Sequence, residues 1–255
     1  MSKKSLWIGL VVSIIAIVLI AAIGLPPLSA QQHRQPRGGG NVSGAGRWSV
    51  LTYVGDEGPF ALKSDPLPGG GVSFDFLNTP DRSMLITDSP SYKRLLLGDM
   101  TGKILVVRVE IEATPGATFN FYDTGGTLPP NVRLYFQKDN AKDCPISSEF
   151  HPERPDCEAQ YWWSNPASIS LADLAALGSA GYTFYVPLQP NFWSDRDGHM
   201  GTATSPINHA TYFYQAVSNI SKIGVSFGGG NNFAFGCGVN PGFVAKFKLL
   251  EFAAK

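Results

Sequence analysis

Apolar and polar positions alternate along much of this chain, and the alternation predicts strands. The clearest run is Lys103–Glu112, KILVVRVEIE. Leu105, Val107, Val109 and Ile111 fall on one face, and Ile104, Val106, Arg108, Glu110 and Glu112 on the other. The closing run Val244–Phe252 sets Ala245, Phe247 and Leu249 against Lys246, Lys248 and Leu250. Further strands are predicted over Trp48–Val54, Val72–Phe76, Thr118–Tyr122, Val132–Gln137, Gln160–Trp163, Tyr182–Leu188, Lys222–Phe227 and Asn232–Val239. Gly- and Pro-rich turns such as PLPGGG, ATPGA and FGGGNN separate them. Two short helices interrupt the pattern. Ser170 with Asp173 makes a capping box ahead of LADLAAL, which Gly178 ends. Ser205-Pro206 reads as an N-cap and N1 pair ahead of INHATYFYQAV, with Ile207, Ala210, Phe213, Tyr214 and Val217 on one face.

The N-terminus follows another pattern. Lys3 and Lys4 precede Leu6 to Leu25, a run without a charge and long enough to span a bilayer as a helix. Positive charge ahead of the run keeps the N-terminus inside and sends the rest across. Residues 1–30 are therefore expected to be either a cleaved signal peptide, with small residues at Leu28-Ser29-Ala30, or a single-pass anchor embedded through residues 6–25. Residues 31–47, QQHRQPRGGGNVSGAGR, have no apolar period and are expected to form a flexible linker. The domain proper is then 48–255, outside the cytoplasm.

Composition agrees with a β-rich exported domain. Apolar residues make up 44% of the 255, enough for a core. Lys+Arg and Asp+Glu are both 20, so no basic excess draws in nucleic acid. Cys144 and Cys157 bracket a polar excursion, DCPISSEFHPERPDC, and are expected to pair in an oxidising compartment, a loop staple worth about 3 kcal/mol. Cys237, in FAFGCGV, is expected to be a buried, inert thiol.

Many short strands with little helix predict an all-β antiparallel sandwich of jelly-roll type. The succession LLLGDMTGKILVVRVEI, NVRLYFQ, QYWWSNP, VPLQPNFWSD, KIGVSFGGG and VAKFKLLEF resembles the galactose-binding-like jelly rolls, a fold shared by many carbohydrate-binding modules. The resemblance spans 48–252 and implies a binding module. It carries no site residue with it, because a fold hosts many functions.

Candidate chemistry is sparse. Gly224-Val225-Ser226-Phe227-Gly228 matches a nucleophile elbow, but no Asp or His follows Ser226, and a strand ending in a Gly turn accounts for the match. Glu110 and Glu112 share a strand face about 7 Å apart and read as a solvated pair rather than a glycosidase's two carboxylates. Asp195-Arg196-Asp197-Gly198-His199 contains a fragment of calcium-loop chemistry, and jelly-roll modules often carry a structural calcium; the alternatives for Asp195 and Asp197 are that ion or an ordinary polar turn. His199 with His209 as a zinc pair is the weaker reading, since no H-x-x-x-H spacing occurs.

Aromatic residues are the expected recognition elements, because sugar C–H faces stack on flat rings. In Tyr161-Trp162-Trp163 the middle ring faces away from its neighbours, so one Trp belongs to the core. Trp163, beside Ser164-Asn165-Pro166, and Trp193, in the loop with Asp195, are the candidates for exposure and ligand contact, with core or loop packing the alternative for each. Tyr212 is the helix's outward ring and Tyr214 its inward one. The expected function is a non-catalytic binding module for a glycan without a bound cofactor, apart from that calcium. The alternatives are an envelope domain holding another protein, and a glycan-active enzyme.

Overall fold

The computed structural model describes residues 47–54, 57–122, 127–138, 159–230 and 233–255. The hydrophobic N-terminal run, the linker apart from Arg47, and Cys144 and Cys157 lie outside the described residues. Among the described residues no helix is long and apolar enough to cross a membrane.

Among the described residues fourteen strands form two antiparallel sheets. The larger runs β11 (Trp193–Ser194), β9 (Tyr161–Ser170), β8 (Asn131–Lys138), β12 (Ile220–Gly228), β5 (Arg82–Thr87), β1 (Ser49–Val54) and β2 (Glu57–Lys63), with β13 (Cys237–Val239) on β5 and β7 (Phe119–Phe121). The smaller runs β10 (Tyr182–Pro187), β6 (Ile104–Ala113), β14 (Ala245–Ala254), β4 (Val72–Asp75) and β3 (Asp65–Pro66). This is an antiparallel β-sandwich. Helix α1 (Leu171–Leu177) follows β9, and α2 (His209–Val217) precedes β12.

The alternation that predicts the strands also builds the core. Leu105, Val107, Val109 and Ile111 of β6 face inward with Phe247, Leu249 and Phe252 of β14. Opposite them stand Val50, Leu85, Leu134, Phe136, Val225 and Phe227 of the large sheet. Phe227 meets Phe74 at 5.3 Å and Phe247 at 4.9 Å, so its ring joins the two layers. Each such side chain removed from water contributes about 1.5–3 kcal/mol.

The expected alternation in β14 holds to Leu249 and then slips by one. Leu249 pairs with Val109 and Glu251 with Arg108, so the partner strand advances one residue for two of β14. This β-bulge brings Phe252 back to the core.

Helix α1 is capped as expected: the Ser170 hydroxyl accepts from the Asp173 N–H at 3.0 Å, and Gly178 ends the helix. Helix α2 differs from expectation. Asn208, not Ser205, caps it, its side chain accepting from the Thr211 N–H, so the helix starts at His209. That start rotates the inward face. His209, Phe213, Ala216 and Val217 are buried, and Tyr214, expected inward, is 49% exposed. A His at the first turn reads as a solvent residue; here its ring is answered inside the protein.

Candidate functional site

Strand β8 is buried from Asn131 to Gln137 without a break. Val132, Leu134 and Phe136 enter the core between the sheets. Arg133, Tyr135 and Gln137 therefore face the opposite way, onto the outer side of the large sheet. Register fixes their neighbours. Arg133 lies beside Ser226, and Tyr135 lies between Gly224 and Trp163. A Cβ on Gly224 would stand 2.1 Å from the Leu85 carbonyl oxygen, so only glycine fits there. With no side chain at Gly224, Ile86 and Tyr135 close over it and join Tyr161 and Trp163 in a second buried cluster. The Tyr135 and Trp163 rings stand 5.1 Å apart, and Leu51, Met84, Phe233 and Ala234 pack around them.

A bulge between β8 and β9 aims the polar groups. Arg133 pairs with Ser168, but Tyr135 pairs with Trp163, leaving Ser164–Ala167 outside the ladder. The Ser164 hydroxyl accepts the Leu134 N–H at 2.9 Å and donates to the Ala167 carbonyl at 2.6 Å. The Ser164 carbonyl, freed from pairing, takes the Arg133 Nη1–H at 2.7 Å.

The Tyr135 hydroxyl donates to Gln137 Oε1 at 2.7 Å, but three other polar groups of this face are left unanswered. Arg133 Nε, Trp163 Nε1 and Ser226 Oγ are all buried without a hydrogen-bond partner among the described residues. The Arg133 guanidinium lies 4.3 Å from the Phe233 ring centre. Burial pushes it down to about 10, with no carboxylate among the described residues to hold it up. It is still cationic at neutral pH. A fixed cation, an indole N–H and a hydroxyl beside aromatic rings suit an oxygen-rich ligand that also presents an apolar face.

No family model matches this sequence, and no curated protein matches it. One solved structure is similar over 85% of this chain and 95% of its own, at 12% identity and a TM-score of 0.35. It is reported under the words "Prominent members of the human gut microbiota express endo-acting O-glycanases to initiate mucin breakdown". A likeness of that size carries no conclusion about this chain.

The structure buries both tryptophan candidates for exposure, as the core or loop-packing alternative has it. Trp193 is fully buried in the main core, 4.7 Å from the Phe136 ring, with its N–H donated to the Pro187 carbonyl at 2.8 Å. Its strand, β11, pairs with β9 and so carries it inward. Trp163 is 6% exposed; it does face outward, but into the second cluster rather than into solvent. Trp162 is the core member of the pair, as the alternation requires. Tyr212 packs half-buried against the core.

The Asp195 loop is a tight hairpin closed by the Ser194–Met200 bridge. Asp195 Oδ1 accepts the N–H groups of Asp197 and His199 at 3.1 and 2.9 Å. Asp195 Oδ2 lies 3.0 Å from His209 Nε2, and Oδ1 lies 3.6 Å from His199 Nδ1. Burial pushes the Asp195 carboxyl up, while His209 and His199 pull it back. Asp197 is not part of this close group. Two imidazoles, not further oxygens, thus surround the carboxylate.

Other expectations settle simply. Ser226 lies inside β12, with no turn-to-helix step after it. Lys248 Nζ bridges Glu110 and Glu112 at 3.0 and 2.8 Å. Cys237 is buried and unpaired, and burial pushes its thiol far up.

Sequence reasoning passes over Arg133 and Tyr135, weighs Ser226 only as a nucleophile, and ranks the pairing of His209 with His199 as the weaker reading. In NVRLYFQ the Arg and Gln read as the wet side of a half-exposed strand. The signal that could have found the face is the aromatic pair Tyr135 and Trp163, which share one side of adjacent strands.

Proposed function

We propose that this chain presents a non-catalytic, jelly-roll binding domain outside the cytoplasm, held to the membrane or released by its N-terminal segment. Its ligand is a carbohydrate bearing a carboxylate, bound on the outer face of the large sheet. One observation carries this reading: Arg133 Nε, Trp163 Nε1 and Ser226 Oγ lie on that one face of adjacent strands, each buried and unanswered among the described residues. An unpaired buried donor costs about 1–3 kcal/mol, and more when charged, so a protein has no structural reason to keep three together. A sugar carboxylate answers the guanidinium, ring hydroxyls answer the indole N–H and the serine, and a C–H face lies on the aromatic rings.

Entry exchanges the contact of Phe233 with the guanidinium for the ligand. A cation–π contact is worth about 0.5–2 kcal/mol, and a hydrogen bond to a charged group about 1.5–3 kcal/mol. The exchange therefore runs toward the ligand. The non-catalytic reading is supported by Ser226 lying mid-strand and by Lys248 ion-pairing with both Glu110 and Glu112.

The test is a titration of the full-length chain with uronate- and sialate-bearing oligosaccharides and their neutral counterparts, followed by tryptophan fluorescence. Saturable binding of the acidic set is expected. Arg133→Met should weaken it by roughly ten- to a hundredfold, the loss of one charged hydrogen bond. The same variant should stay within about 1–2 kcal/mol of the parent in stability, since removing a buried charge offsets the lost bond to the Ser164 carbonyl. Equal binding of neutral glycans, or full affinity in Arg133→Met, overturns the reading.

A second reading has its own observation. Strand β10 is an edge of the small sheet, with Tyr185 on its outward side 70% exposed. An envelope protein adding a strand there would be protected by β10 and indifferent to Arg133. Absence of any glycan response would favour it.

A further inference from the structure

We propose that Asp195, His199 and His209 are the ligands of a divalent metal ion of the zinc class. Their ligating atoms all lie within 4.8 Å of one another. Tetrahedral zinc with bonds of about 2.0–2.1 Å holds neighbouring donors roughly 3.3 Å apart. The closest pairs here, 3.0 and 3.6 Å, straddle that spacing.

The surrounding groups prepare each ligand. His209 Nδ1 lies 2.9 Å from the Ile207 carbonyl and 3.2 Å from that of Ala203. A carbonyl only accepts, so Nδ1 carries the ring hydrogen and Nε2 is turned to the Asp195 carboxylate. A backbone carbonyl fixing the far nitrogen is how ligating histidines are oriented. The N–H groups of Asp197 and His199 fix the Asp195 carboxylate in turn. Gly198, at φ 82°, permits the turn that brings His199 back over Asp195. His199 Nδ1 is buried with no hydrogen-bond partner, the nearest carboxylate oxygen standing at 3.6 Å. An ion at the centre of the group answers that nitrogen.

The donor set selects the metal. Two imidazole nitrogens and one carboxylate oxygen suit zinc, whereas calcium takes six to eight oxygens. Three protein ligands leave a fourth position open, and the His199 side chain, 39% exposed, marks the solvent side. The ion would tie the hairpin after β11 to the first residue of α2, reinforcing the Asp195–His209 contact.

The experiment titrates the untagged full-length chain, stripped with a chelator, with Zn2+ by calorimetry and with Co2+ by visible absorption. One ion per chain and the intense bands of a tetrahedral cobalt site are expected. His209 is buried and its replacement risks the fold, so the deciding variant is His199→Ala, with Asp197→Asn as control. His199→Ala should weaken Zn2+ by at least about tenfold, as loss of a ligand exceeds loss of a supporting group, and Asp197→Asn should leave it unchanged. Zinc binding that survives His199→Ala resides elsewhere in the chain and overturns the proposal. So does the absence of saturable Zn2+ binding, or Ca2+ binding indifferent to His199→Ala.

Discussion

The two outer faces of the sandwich both carry polar groups, in opposite arrangements. On the small sheet, Lys248 lies between Glu110 and Glu112, and Lys246 lies 3.5 Å from Asp75. Every one of those charges has a partner and stands near water. On the large sheet, Arg133, Trp163 and Ser226 are sealed among aromatic rings with donors left over. Matched charge near solvent is the ordinary surface of a sheet and stabilises little. Unmatched polarity under an aromatic cover is destabilising, and it reads as a site because only a ligand resolves it.

The comparison breaks first if the two sides of the large sheet are not what burial makes them. Trp193 belongs to the inner side and Trp163 to the outer one. Trp193→Ala removes a fully buried ring and its hydrogen bond to Pro187, and should cost about 3–5 kcal/mol in a denaturant titration. Trp163→Phe keeps a ring against Tyr135 and removes an N–H that has no acceptor. It should leave stability within about 1 kcal/mol, while dimming the response to an acidic glycan. A Trp163→Phe variant as unstable as Trp193→Ala would make the outer face a second core and nothing more.

Ser226 sharpens the same contrast at smaller scale. Its hydroxyl is buried beside Arg133 and bonded to nothing among the described residues. Ser226→Ala should therefore hold stability or raise it by up to about 1 kcal/mol, and weaken glycan binding by no more than about tenfold. Measured together, the melting temperature and the affinity should move in opposite directions. A clear loss of stability would show that the hydroxyl has a structural partner.

The fold was far more legible in the sequence than the site. Ten of the strands announce themselves because alternation between a wet and a dry side is written directly in residue order. The strands it hides fail for local reasons. Strand β2 contains Gly58 and Pro59 and sits at an edge, where proline is tolerated. Strand β9 continues past Asn165-Pro166, which reads as a turn. Of the described residues 233–239 only Cys237–Val239 is strand, after Gly236 at φ 101°. The site is hidden for a different reason: alternation cannot distinguish an outward residue in water from one covered by another part of the chain. Arg133 looks solvated until Phe233, a hundred residues on, lies over it. His209 looks polar and peripheral until the hairpin of Asp195 meets the start of α2.

The smallest expected effect tests the other half of the comparison, that the small sheet's charges are only surface. Lys248→Met removes the ammonium between two carboxylates. The melting temperature at neutral pH should change by no more than about 2 °C, and the change should vanish in about 1 M salt. Its pH dependence has a defined sign. The hydrogen bond to Lys248 holds the Glu112 carboxyl below its ordinary value, so its stabilising share is complete above about 4.3 and is lost as pH falls through the lowered folded value. Hydrogen bonds to Glu112 and Glu110 push Lys248 up, so its share is complete below about 10.4 and is lost as pH rises through the raised one. The difference between parent and variant should thus be a shallow plateau between those limits, read by thermal melts across pH 3 to 11. A large, salt-resistant loss would mean that Lys248 is buried in the working protein, and that the small sheet's outer face is covered too.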